Sequence, residues 1–128
     1  MSTLQVATIK SASSAAPQFQ NSSGTEKGQL TKAWCLFQGS GTVSITNSFN
    51  VSSITDNATG RYQVNFTNSF SNANYIMSGS HNNFSNGVSC VGENGSTGFS
   101  ASAAGISTTV DNSHTDPSRV RVMFIGDN

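Results

Sequence analysis

From residue 32 onward the chain consists of short stretches in which apolar side chains fall at every second position, each stretch ending near Gly or Asn. KAWCLFQ sets Ala33, Cys35 and Phe37 on one side and Trp34, Leu36 and Gln38 on the other. RYQVNFT alternates Tyr62, Val64 and Phe66, and RVRVMFIGDN sets Val120, Val122 and Phe124 against Arg121, Met123 and Ile125. A period of two marks a strand and conflicts with the 3.6-residue period of a helix. Composition agrees: Leu occurs three times and Glu twice, whereas Val and Ile total 15, so good helix formers are scarce and β-branched residues plentiful. About nine such strands at intervals near 10 residues predict an all-β chain folded as an antiparallel β-sandwich, with no helix.

KAWCLFQ is apolar on both faces, so it reads as a central or subunit-contact strand covered on both sides. After the Gly39–Gly41 turn, TVSIT and SFNVSSI follow, with Phe49 and Val51 facing one way and Ile54 out of step. That slip predicts a bulge near Ser52 and Ser53. Asp56 to Gly60 reads as a loop, which makes Phe49 to Phe66 a hairpin. ANYIMSGS, GVSCVG and TGFSASA are further strands, Ile106 and Val110 bracket a short run, and Ser80–Gly87 and Asn112–Ser118 are loops. Residues 1–31 differ: Leu4, Val6 and Ile9 form one brief alternation before a polar stretch with Pro17 and Phe19 at its centre. This reads as an arm or linker: either an extended segment pinned to a neighbouring surface, which a proline-anchored aromatic suits, or a disordered leader ahead of the domain. The expected division is therefore an arm at 1–31 and a sandwich at 32–128.

Charged residues make up 9% of the chain against a typical value of about 25%, and the formal net charge is zero. Six basic residues without a run remove the electrostatic term that nucleic-acid binding needs, so nucleic acid is not expected as a partner. No apolar stretch approaches the roughly 20 residues of a membrane-spanning helix, and MSTLQVATIK lacks a signal-peptide pattern. Membrane insertion and conventional secretion are not expected. Cys35 and Cys90 each sit in an apolar run, where a free thiol acts as a small hydrophobe; two core thiols are favoured over a bridge.

Reactive constellations are thin. His81 and His114 fall in loop-like segments, with Asp111 and Asp116 near the second, but no metal-ligand spacing such as His-x-His or Cys-x-x-Cys occurs. No Gly-x-Ser-x-Gly elbow is present, and the few carboxylates leave little choice for a glycosidase pair. The expectation is a protein without enzymatic activity, metal or cofactor.

The run from Lys32 carries further text: K-A-W, G-x-G-T-V at 39–43, S-x-N-V-S-S-I-T-D-N at 48–57, G-x-Y-x-V-N-F-T at 60–67, an A-N-Y strand and a terminal FIGDN. In these motifs the chain resembles the C-terminal domain of tail-fibre and fibre-like proteins of tailed bacteriophages, particularly aquatic phages including those of cyanobacteria. The resemblance covers about 97 of the 128 residues, and Asn50 to Thr67 is its specific part. Cys35 and Leu36 depart from the commoner residues, and Ser80 to Ser118 matches none of the motifs.

The resemblance implies a homotrimer carried on the virion as a tail fibre and made in the cytoplasm of the bacterial host. Its arm would attach to tail or baseplate proteins, and the sandwich would bind host surface polysaccharide. The alternative is a capsid or tail decoration or adaptor protein that binds only other virion proteins; a carbohydrate-cleaving depolymerase is a third reading. In a trimer, Trp34, Leu36, Met123 and Ile125 would form the subunit interface, letting a lean core bury its second face between copies. Leu4, Val6, Ile9, Pro17 and Phe19 would attach to the virion. Receptor contact is expected from His81, Asn82, Asn83, Phe84 and Asn86 in one loop and His114 and Asp116 in another; an aromatic in a polar loop is a platform for a sugar ring, although for Phe84 a hydrophobic contact with a neighbouring subunit is the favoured alternative.

Overall fold

A computed structural model of the protein describes residues 3–10, 19–82 and 88–126. The chain divides into two units, residues 1–30 and 31–127. In the first, β1 (Phe19–Gln20) and β2 (Glu26–Gly28) pair antiparallel. The Asn21 side chain builds their turn: its Oδ1 accepts the backbone N–H of Ser23 at 3.1 Å and of Thr25 at 2.8 Å. Leu4, Val6 and Ile9 are exposed.

The second unit holds β3 (Ala33–Gln38), β4 (Ser44–Phe49), β5 (Val51–Ala58), β6 (Arg61–Phe66), β7 (Tyr75–His81), β8 (Ser89–Glu93), β9 (Ala103–Val110), β10 (Ser113–His114) and β11 (Val120–Gly126). All pairings are antiparallel, and no helix occurs among the described residues. One sheet runs β4-β3-β11-β7. In the other, β9 lies between β6 and β8, and β10 continues the β6 side where β6 ends, because Val110 and Thr109 pair with both β8 and β10. The sheets face each other across one core. Ala33, Cys35, Phe37, Val120, Val122 and Phe124 come from the first, and Tyr62, Val64, Phe66, Ala104 and Ile106 from the second. Phe37 and Tyr62 meet edge-on at 5.2 Å, joining the layers. At one end Phe66, Phe70, Tyr75, Phe99 and Phe124 form an aromatic cluster, with Tyr75 stacked on Phe99 at 4.9 Å. Aromatic pairs of this geometry add to plain burial, so a few rings do the work of a larger aliphatic core.

The two-residue period holds in β3, β6 and β11, whose buried and less buried positions alternate. The expected bulge is present, as a register shift between Val51 and Ser53. Several expectations are corrected. β3 is a central strand, as expected, lying between β4 and β11, but within a single chain only one of its faces is covered: Trp34 and Gln38 are exposed and Leu36 half-buried. Phe49 and Val51 do not share a strand. Asn50 takes a left-handed φ of 56° and turns the chain from one sheet into the other, so Phe49 stays outside while Val51 enters the core. Hence the hairpin is β5–β6 alone, and its turn is shorter than Asp56–Gly60 because β5 runs to Ala58. β7 extends through His81, two residues into the expected loop, and β10 forms inside Asn112–Ser118. TGFSASA is not a strand; it contributes one bridge, Phe99 to Ala104. Cys35 is a buried thiol as expected, but Cys90 is exposed and unbonded to it.

Candidate functional site

The two sheets present outer faces of opposite character. On β4-β3-β11-β7 the register places Phe49, Trp34, Met123 and Ser78 side by side in one row across the strands, and Asn47, Leu36, Arg121 and Ser80 in the next. Ile125 sits opposite Ile76 one row further along. Trp34, Phe49, Ile76 and Met123 are exposed, and Leu36 and Ile125 are half-buried. Six large apolar side chains thus share one face of a sheet, a contiguity that on a soluble protein marks a contact surface. The four residues expected at a subunit interface, Trp34, Leu36, Met123 and Ile125, are all among them.

This face is not flat. β7 carries only Ser78, Gly79 and Ser80 beside the long side chains of β11, which leaves an open groove of about 470 Å³ lined also by Trp34, Leu36, Arg121 and Met123. The volume lies within the range of ligand pockets. Gly79 is required on the inner side of β7, where it pairs with the buried Val122: a Cβ would stand 2.9 Å from the Arg121 carbonyl oxygen and 2.9 Å from Val122 Cγ1. The Arg121 guanidinium makes no ion pair or hydrogen bond among the described residues, so a positive charge stands between Leu36 and Ser80 on this face.

The outer face of the other sheet is polar and internally satisfied. Asn65 Nδ2 donates to Ser53 Oγ and to Thr55 Oγ1, each at 3.0 Å, and Gln63 Nε2 donates to Asn65 Oδ1 at 3.1 Å. Arg61 Nε donates to His114 Nε2 at 3.3 Å.

The residues expected to contact a receptor do not gather into one surface among those described. His81 is buried inside the fold, within 3.1 Å of the Thr109 carbonyl oxygen and beside the Ser89 hydroxyl. Asn82 is exposed and donates to Ser118 Oγ at 3.0 Å. Asp116 is a structural acceptor: its Oδ1 takes the Gly60 N–H at 2.6 Å and the Tyr62 hydroxyl at 2.7 Å. His114 remains exposed on β10. Asn83, Phe84 and Asn86 lie outside the described residues, as does Pro17. Of the attachment residues, Leu4, Val6, Ile9 and Phe19 are exposed in the first unit.

Sequence reasoning missed Phe49, Ile76, Ser78 to Ser80 and Arg121. The alternation in RVRVMFIGDN already put Arg121 on the side of Met123 and Ile125, so this residue was there to be found. Phe49 was hidden by the corner at Asn50, which reverses its facing. Among the described residues, no three His, Cys, Asp or Glu side chains come together as a metal site would require. No known protein family, no curated protein and no solved structure matches the chain.

Proposed function

We propose that this protein is a fibre-type structural component of a bacteriophage virion, assembled as a homotrimer. Residues 1–31 act as the arm that attaches it to the tail or baseplate, and the β domain meets the polysaccharide of the host surface. One observation carries the reading: the apolar outer face of β4-β3-β11-β7, set against the polar, hydrogen-bonded outer face of the other sheet. A chain with so little charge and so lean a core gains most by hiding such a face against copies of itself. Assembly also multiplies weak sugar contacts through effective concentration. The exposed apolar residues Leu4, Val6 and Ile9 suit an arm whose partner is another protein.

The native mass of the full chain under reducing conditions tests the reading. Three copies of a 13.3 kDa chain give about 40 kDa, and a protein that stays at the single-chain mass overturns it. Microscopy of the particle then places the protein on the tail, as the reading requires, or on the capsid, which would make it a decoration protein.

A further inference from the structure

We infer that the corner of the polar sheet where β6, β9 and β10 meet is a seat for the carboxylate of an acidic polysaccharide, a chain containing uronate sugars. This rests on the polysaccharide contact proposed above and gives it a place and a chemical class. Tyr62, Ile106 and Thr108 are fully buried, so Arg61, Ser107 and Thr109, next to them along the strands, face outward. The register sets Arg61 beside Ser107, and His114 beside Thr109 one row further along. Arg61 Nε and Nη2 each lie 3.3 Å from His114 Nε2. Arginine can only donate, so Nε2 is the acceptor and the ring proton sits on Nδ1. The imidazole thus holds the guanidinium in place on the sheet, while Nη1 makes no bond among the described residues.

Charge and unspent donors select the ligand. Around Asn65 the side chains of this face are bonded to one another. At the Arg61 corner, Ser107 Oγ, Thr109 Oγ1 and His114 Nδ1 have no hydrogen-bond partner among the described residues. Gly92 stands opposite Ser107 and leaves its hydroxyl uncovered, since even a Cβ there would stay 3.8 Å away. The described carboxylates of the β domain face elsewhere or are engaged. The register sets Asp56 with the inward Tyr62 and Glu93 with the inward Ile106. Asp111 Oδ1 accepts the Val88 N–H, and Asp116 Oδ1 serves Gly60 and Tyr62. Arg61 makes no ion pair among the described residues. A half-buried guanidinium flanked by donors alone calls for an acceptor that brings negative charge. Its planar fork can meet both oxygens of a carboxylate at once, and the ring hydroxyls of the same sugar can accept from Ser107 and Thr109. The opposite, apolar sheet is left free for assembly.

Binding of the full chain, kept in reductant at physiological salt, to immobilised alginate, dextran sulfate and neutral dextran tests this by surface plasmon resonance. Alginate, whose charge is carried by uronate carboxylates, should bind the wild type more tightly than either of the others. Arg61→Gln should weaken alginate binding about tenfold, the worth of a charge-assisted bond. Arg61→Lys, which keeps the charge and loses the fork, should not restore it. Arg119→Gln removes an exposed arginine just before β11, changes the net charge by the same amount, and should bind as the wild type does. Circular dichroism and native mass check that each variant folds and assembles like the wild type. Equal losses in Arg61→Gln and Arg119→Gln would mean diffuse charge and overturn the seat. Dextran sulfate binding as tightly as alginate overturns the carboxylate assignment. Binding to dextran alone overturns the acidic seat and leaves the polysaccharide contact standing, and a wild type that binds none of the three overturns both.

Discussion

Asp116 shows how a polar loop residue becomes part of the scaffold. Tyr62 is fully buried, and its hydroxyl has two acceptors, Asp116 Oδ1 at 2.7 Å and the Gly39 carbonyl oxygen at 3.3 Å. The Gly60 N–H uses the same carboxylate oxygen, so one side chain fastens the β5–β6 turn, the last loop and the core. Asp116→Ala should lower stability by about 1–3 kcal/mol, since it leaves buried donors poorly matched. Asp116→Asn, which keeps an oxygen acceptor, should cost less. Denaturant midpoints measure both, and equal midpoints for the alanine variant and wild type would refute the fastening role. In the sequence, Asp116 looks like any acidic residue in a Ser/Asn-rich loop, because its partner Tyr62 stands 54 positions earlier. His81 misled in the same way: the residues that enclose it, Ser89 and Thr109, belong to later strands. Loop composition is the same for a binding surface and for a residue that latches onto the core, as the exposed Asp116 does, and only the fold separates them.

At the scale of elements, the corner at Asn50 decides which sheet each half of 44–58 joins. Asn tolerates the left-handed region better than most residues, and here the side chain also locks it. Nδ2 donates to the Asn68 carbonyl oxygen at 3.0 Å, and Oδ1 accepts the Asn68 N–H at 2.7 Å. Asn50→Ala should therefore cost on the order of 2–4 kcal/mol, from the backbone penalty and the lost bonds together. Asn50→Gly, which loses the bonds and keeps the conformation, should cost about half of that; chemical denaturation of the two variants side by side checks the order. Strands whose alternation is unbroken, β3, β6 and β11, were legible residue by residue, and so were four members of the apolar outer face. The corner was not, because a single left-handed residue inside SFNVSS leaves the count of two undisturbed while it swaps inside for outside. The groove was illegible for a related reason: Ser78-Gly79-Ser80 becomes a recess only once β11 lies alongside it.

For the whole molecule, the buried ionisable groups set a limit on the alkaline side. Burial pushes the Cys35 thiol from 9.0 up to about 12 and the Tyr75 hydroxyl from 10.0 up to about 12, and it raises Tyr62 as well, with the neighbouring Asp116 carboxylate adding to the effect. Each group is neutral in the folded chain at a pH where the unfolded chain has already released the proton. The stability they contribute is thus complete below about pH 9 and is lost as pH climbs toward 12. Urea midpoints should be level around neutrality and clearly lower at pH 11; an unchanged midpoint there would mean that these groups ionise freely in the folded protein. A different thiol governs how the native protein is handled. Cys90 stands in the open on β8 with no disulfide partner, so air oxidation can staple two molecules through a bond that owes nothing to the apolar face. Such adventitious pairs would counterfeit an even-numbered particle in any sizing column run without thiol protection, and a Cys90→Ser chain is the clean specimen for counting protomers.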